Sequence, residues 1–234
     1  RGFLRWCYPQ FMHHMLAGEN LALVTPKRVE HVGAWQHCFV ANAMSDHVAV
    51  SLKTVDYHFP LYLYPPADRD DLFARHELAE RRPNLNPKMV AALAKAYGKE
   101  PTPENIFHYI YAVLYAPAYR EKYVEFLRMD FPRVPFASDA KLFREIALLG
   151  EKLVGLHLLR SPELDPPSCR FEGDGDSSVG KDRKTGLRYD AEKEFVYINA
   201  TQHFVPVPEA VWNYRVGGYQ VCEKWLKDRR ERHL

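Results

Sequence analysis

Three short stretches hold side chains suited to reading nucleic acid. The first is Thr25-Pro26-Lys27-Arg28, where a proline stiffens a loop carrying two cations, with Trp35 and His37 just beyond. The second is Lys181, Arg183 and Lys184, with Arg188 at its exit, between Gly180 and Gly186. The third is Asn213, Tyr214, Arg215, Gly217, Gly218, Tyr219 and Gln220. Arg, Lys, Asn and Gln make paired hydrogen bonds to base edges, and Lys, Arg and backbone amides hold phosphates. Glycines beside an arginine allow close backbone approach. At a helix start, where Gly217-Gly218 are expected, free amides favour anions. Each stretch also has a plain structural reading. Residues 181–184 suit a solvated hairpin tip. Trp212 and Tyr219 suit a core, and Gly217-Gly218 suit a tight turn into a final helix.

Signals for catalysis are weak. An exocyclic-amine methyltransferase needs an acid-Pro-Pro-aromatic strand end. The one approach to it, Asp165-Pro166-Pro167-Ser168, lacks the aromatic and follows no apolar strand. Gly217-Gly218 stand alone rather than in a dinucleotide fingerprint, and Gly180-Lys181 lacks the upstream glycine of a phosphate-binding loop. Glu172, Asp174 and Asp176 resemble part of a calcium loop without its closing glutamate, so a solvated turn fits better. His13, His14, His31 and His37 match no ligand spacing.

Composition leaves the function open. The chain has 234 residues, 47% hydrophobic and 26% charged, with a net charge of +2. That is ordinary for a globular protein and far less basic than a non-specific nucleic-acid binder. A local basic cleft on a near-neutral body remains compatible with it. Cys7, Cys38, Cys169 and Cys222 are scattered, which fits neither zinc nor a disulfide framework and suits a reducing cytoplasm. No apolar run approaches a membrane span, and no signal peptide is expected. The start at Arg1 without Met is expected of a piece of a longer protein.

These residues must be positioned by an α+β fold. Residues 1–66 read as β-rich after a short helix at 10–16, with strands at 21–25, 38–41, 48–51 and 59–64. Residues 67–160 read as a mainly helical part, opening on a charged surface connection at 68–82. Its helices start at Pro87 and at the cap Thr102, from Pro117 to before Pro132, and from the cap Ser138 to about Leu159. Phe107, Tyr111 and Tyr115 form a packing stripe, and Arg120, Lys122 and Arg128 a wet face. Residues 161–234 read as a β-hairpin region closed by a helix over 219–230. Together these parts are expected to form one domain of a larger protein.

Longer blocks carry a resemblance. They are residues 106–135, 204–229, 15–25 and 59–65, and Phe136-Ala137-Ser138-Asp139 with the helix after it. Together they resemble the C-terminal target-recognition region of Type ISP restriction–modification enzymes, single-chain helicase–adenine-N6 methyltransferases. Residues 130–135 look like the proline hinge of related adenine methyltransferases and specificity subunits. The resemblance implies a cytoplasmic, non-catalytic piece that binds double-stranded DNA. Its partners would be the methyltransferase and helicase/nuclease domains of the same chain, with no membrane. The parent would use S-adenosylmethionine, ATP and Mg2+, and this piece none. Rival expectations are a scaffold that packs on those domains without reading bases, and an unrecognised stand-alone enzyme.

Overall fold

Local capping chemistry sets the starts of three of the helices. The Asn86 side chain accepts from the Lys88 amide (2.9 Å), Pro87 takes the first helical position, and Gly98 closes the helix at φ 71°. The Thr102 hydroxyl accepts from the Asn105 amide (3.2 Å) ahead of Pro103. The long helix is capped by Asp139, which accepts from Leu142 (2.8 Å), and not by Ser138. A carboxylate caps as well as a hydroxyl, and Asp139 stands where it reaches the third amide.

The computed structural model describes residues 9–30, 33–51, 53–65, 81–182 and 184–234. They form two compact units, Arg1–Ser161 and Pro162–Leu234. Residues 1–66 and 67–160 thus share one unit.

The first unit runs α1 (Pro9–Leu16), β1 (Ala22–Pro26), β2 (Phe39–Ala41), β3 (Asp56–Pro60), β4 (Tyr62–Leu63) and β5 (Arg82–Pro83). Helices α2 (Pro87–Tyr97), α3 (Pro103–Tyr115), α4 (Pro117–Lys122), α5 (Val124–Met129) and α6 (Ala140–His157) follow. β1 is the centre of an antiparallel sheet ordered β2-β1-β3, with Leu23 opposite Val40 and Phe59. Trp35, Cys38, Val40, Phe107, Tyr111 and Leu114 join sheet and helices in one core. Leu93, Ile106, Tyr109, Phe143 and Ala147 form a second core between helices. The Phe107–Tyr111 stripe is packing, as its spacing predicts. Most of the expected connection at 68–82 lies outside the described residues.

Two further element expectations in this unit fail for physical reasons. Residues 48–51 are not a strand. The Asp56 carboxylate accepts the Val50 amide (2.7 Å), and the Asp56 amide donates to the His47 carbonyl (2.7 Å). Side-chain pairing satisfies groups that a ladder would need. The helix expected from Pro117 breaks at Tyr123 (φ −111°, ψ 14°), where no Gly or Pro marks it.

The second unit has a sheet ordered β6-β9-β8-β7, from β6 (Arg170–Glu172), β7 (Arg188–Asp190), β8 (Phe195–Tyr197) and β9 (His203–Val205). α7 (Glu209–Trp212), the hairpin β10 (Arg215–Val216) with β11 (Tyr219–Gln220), and α8 (Val221–Lys227) complete it. Val179, Val196, Ile198, Val207 and Leu226 form its core. β6 and β7 lie on opposite edges, so residues 181–188 are no hairpin tip between paired strands. The final helix begins at Val221 rather than 219, because residues 215–220 pair as the hairpin.

Candidate nucleic-acid interface

In the first unit the loop after β1 presents two free cations. Lys27 and Arg28 are exposed, and neither makes an ion pair among the described residues. The loop is anchored behind them by buried Val29, whose amide donates to the Arg128 carbonyl (3.0 Å). Beside them lies an aromatic surface that sequence reasoning missed. Tyr57 (43% exposed) and Phe59 (39% exposed) alternate outward on β3, and Phe131 meets both edge-on at 5.1 and 5.3 Å. Lys27 Nζ stands 5.9 Å from the Phe131 centroid. The available signal was the strand's alternation, which turns Asp56 inward and Tyr57 and Phe59 outward. Cations beside exposed aromatic faces suit phosphates and base edges together.

Trp35 does not join this surface. It is 1% exposed and packs in the core, under the Arg120 guanidinium at 5.6 Å. A large apolar ring gains more from burial than from waiting for a ligand. Arg120 and Arg128 likewise leave the expected wet face. Arg120 Nε donates to the Leu114 carbonyl (2.5 Å) and lies 4.3 Å from the Tyr115 ring. Arg128 donates to Glu125 (2.9 Å) and to the Gly33 carbonyl.

In the second unit the 181–188 turn is built by its own side chains. Asp182 accepts from the Lys184 amide (2.7 Å) and the Thr185 amide (2.9 Å), and those bonds hold its carboxyl below the usual range. Arg188 is a brace: its Nη1 reaches the carbonyls of Thr185, Gly186 and Asn199 at 3.2–3.3 Å, and its guanidinium covers Tyr197 at 3.7 Å. Lys181 pairs with Glu231 (2.5 Å), both side chains exposed. Lys184 projects free of ion pairs among the described residues, and Arg183 lies outside them.

The third stretch divides too. Tyr214 is 42% exposed, Arg215 is exposed, and Asn213 only loosely approaches Glu209 (3.4 Å). Gly217 (φ 56°) and Gly218 turn the hairpin, so they do not offer free amides at a helix start. A left-handed φ at the first turn position is what glycine supplies without strain. Arg215 reaches back over the turn toward the Gly218 carbonyl (3.5 Å). Gln220 is committed to the Trp212 carbonyl, and half-buried Tyr219 lies 5.4 Å below Lys224 Nζ.

Several titratable groups are packed away. Burial pushes the Cys38 thiol up to about 12 and the Asp56 carboxyl up to about 6. Burial also lowers His58, His108 and His157. Among the described residues no group of three or more His, Cys, Asp or Glu is arranged to hold a metal ion. His31 and Cys7 lie outside those residues. No described helix is long and apolar enough to cross a membrane.

An α+β chain whose chemical equipment is exposed cations, amides and aromatic faces has the character of a recognition module. The model of the Type ISP C-terminal specificity domain matches residues 1–234, and the chain belongs to that family. Solved structures share the fold. A DrdV–DNA complex seen by cryo-EM is 24% identical with a TM-score of 0.68, covering 94% of this chain and 21% of that one. The ATP-dependent Type ISP restriction–modification enzyme LlaBIII bound to DNA is 19% identical with a TM-score of 0.67, covering 91% and 13%. A nuclease-deletion mutant of the Type ISP enzyme LlaGI with a DNA substrate mimic gives 19% and 0.61, covering 91% and 14%. The chain therefore spans about a fifth or less of those proteins. Comparison with curated proteins gave no match.

Proposed function

We propose that this domain recognises a specific sequence in double-stranded DNA for a restriction–modification protein. The observation that carries the reading is the specificity-domain match across all 234 residues. The surface supports it. Lys27, Arg28, Lys184 and Arg215 are exposed without ion pairs among the described residues, and Tyr57, Phe59 and Tyr214 offer apolar contact. In this proposal the parent chain is cytoplasmic and carries the adenine-N6 methyltransferase and helicase/nuclease domains. Those other domains use S-adenosylmethionine, ATP and Mg2+, while this one selects the site. That similar domains are solved within DNA-bound restriction–modification enzymes favours the assignment.

The test is selection of a preferred site from a random-sequence duplex pool with the full-length protein. Arg28→Ala and Arg215→Ala are then titrated on that site. If the residue reads a base, the loss is about 1–3 kcal/mol and preference relaxes at one position. A pool that yields no preferred sequence overturns the reading. That outcome supports the second reading, a coupling scaffold. Its own observation is the individual exposure of large apolar side chains, Phe126 and Met129 on α5 and Leu148 and Leu149 on α6, from 59% to 67% exposed.

A further inference from the structure

We infer that the C-terminal segment Arg230–His233, stapled beside the 181–184 turn, is a phosphate grip that holds duplex DNA whatever its sequence. The inference rests on the DNA-reading function proposed above and adds sequence-independent contacts to it. Backbone hydrogen bonds tie this segment down. Val179, fully buried, donates its amide to the Arg232 carbonyl (3.2 Å) and accepts from the Glu231 amide (2.9 Å). The Leu234 amide donates to the Ser177 carbonyl (3.0 Å), and His233 Nδ1 lies 2.6 Å from the Asp176 carbonyl. Glu231 adopts a left-handed φ of 60°, uncommon for a residue with a Cβ, and its carboxylate holds Lys181 at 2.5 Å. The staple thus fixes a run of cations against a turn that is itself held by Asp182.

The staple leaves unpaired cations. Arg229 is occupied by the Trp225 ring at 3.7 Å and the Trp225 carbonyl at 3.0 Å. Arg230 and Arg232 are exposed, and their guanidiniums make no hydrogen bond or ion pair among the described residues. Lys184 is equally free beyond the Asp182 turn. Several cations on one tethered backbone, the nearby Trp225 ring being covered by Arg229, match a row of phosphates better than base edges. Phosphate contacts position a protein and carry no sequence information. Holding the arginines on an ordered backbone also lowers the entropy lost on binding.

The experiment titrates the full-length protein and its Arg230→Ala/Arg232→Ala variant against the selected duplex and a scrambled duplex across salt. The grip predicts an equal fold-loss on both duplexes. The slope of log affinity against log salt should become shallower by about 2, near 0.9 per phosphate released. Arg230→Lys/Arg232→Lys should restore the slope. Glu231→Gln, which frees Lys181, should steepen it. An unchanged slope in the alanine variant, or a loss confined to the selected duplex, overturns the grip. Should the alanine variant fail to fold, the glutamine variant decides, since no steepening then counts against the grip. A pool with no preferred sequence defeats the reading function alone, because the slope on random duplex still judges the grip.

Discussion

Asp56 keeps a carboxylate in the interior of the first unit at 6% exposure. One oxygen accepts the Val50 amide, and the other has no hydrogen-bond partner among the described residues. Burial is the main reason its pKa rises from 3.8 to about 6. The folded state therefore binds a proton more readily than the unfolded one between about pH 4 and 6. Stability from this group falls as pH rises through that window, and the cost is fully present above it. The shift corresponds to roughly 2–3 kcal/mol at neutral pH. Asp56→Asn, which keeps an acceptor for Val50, is expected to raise the melting temperature at pH 7.5 and to lose most of that advantage by pH 4. A pH series of thermal melts on both proteins measures this, and a constant difference across pH would refute it. The two arginine classes separate by the same logic. Arg28→Ala should leave stability within about 0.5 kcal/mol, as for an exposed site. Arg188→Ala removes a brace on three carbonyls and one ring, and should cost about 1–3 kcal/mol by urea unfolding. Lys27 and Arg28 were legible in sequence as cations on a turn. That Arg188 faces inward was not, because the acceptor it needs at Asn199 arrives only when β7 and β8 pair.

α3 and α6 pack closely enough that a Cβ on Gly150 would lie 1.9 Å from the His108 carbonyl oxygen. Backbone cannot yield as a flexible side chain can, so Gly150→Ala should cost about 1–3 kcal/mol or more. Gly155, one turn and a half later in the same helix, meets nothing nearer than Ser161 Cβ at 3.8 Å. Gly155→Ala should instead stabilise by about 0.5–1 kcal/mol through helix propensity. Chemical denaturation of the pair checks both signs at once. Equal effects would mean that the crossing is not what Gly150 serves. Caps at Asn86, Thr102 and the 138–139 position were readable because capping is local chemistry. The break at Tyr123 and the loop at 48–51 were not. The first has no breaker residue, and the second depends on Asp56, which becomes a neighbour of Val50 only once the loop folds back.

Each unit has its own core, one built around Trp35 and Tyr111 with a companion around Phe143, the other around Val196 and Leu226. Leu226→Ala in the second core should cost about 2–5 kcal/mol there. Hydrogen exchange is expected to speed in residues 162–234 while α3 and α6 amides keep their protection. Acceleration in both would show that the units unfold as one. At this scale the sequence by itself determined the α+β composition, the helix starts, the turn chemistry and the family, since propensity, caps and long residue blocks are written locally. Only the tertiary structure decided which cations stay free. It buried Trp35, committed Arg120, Arg128, Arg188 and Gln220 to backbone carbonyls, and turned Tyr57 and Phe59 outward beside Lys27. It also tied Arg230 and Arg232 to the strand-like run at Val179. A side chain's availability depends on acceptors and rings brought close by distant segments, and no spacing along the chain encodes that.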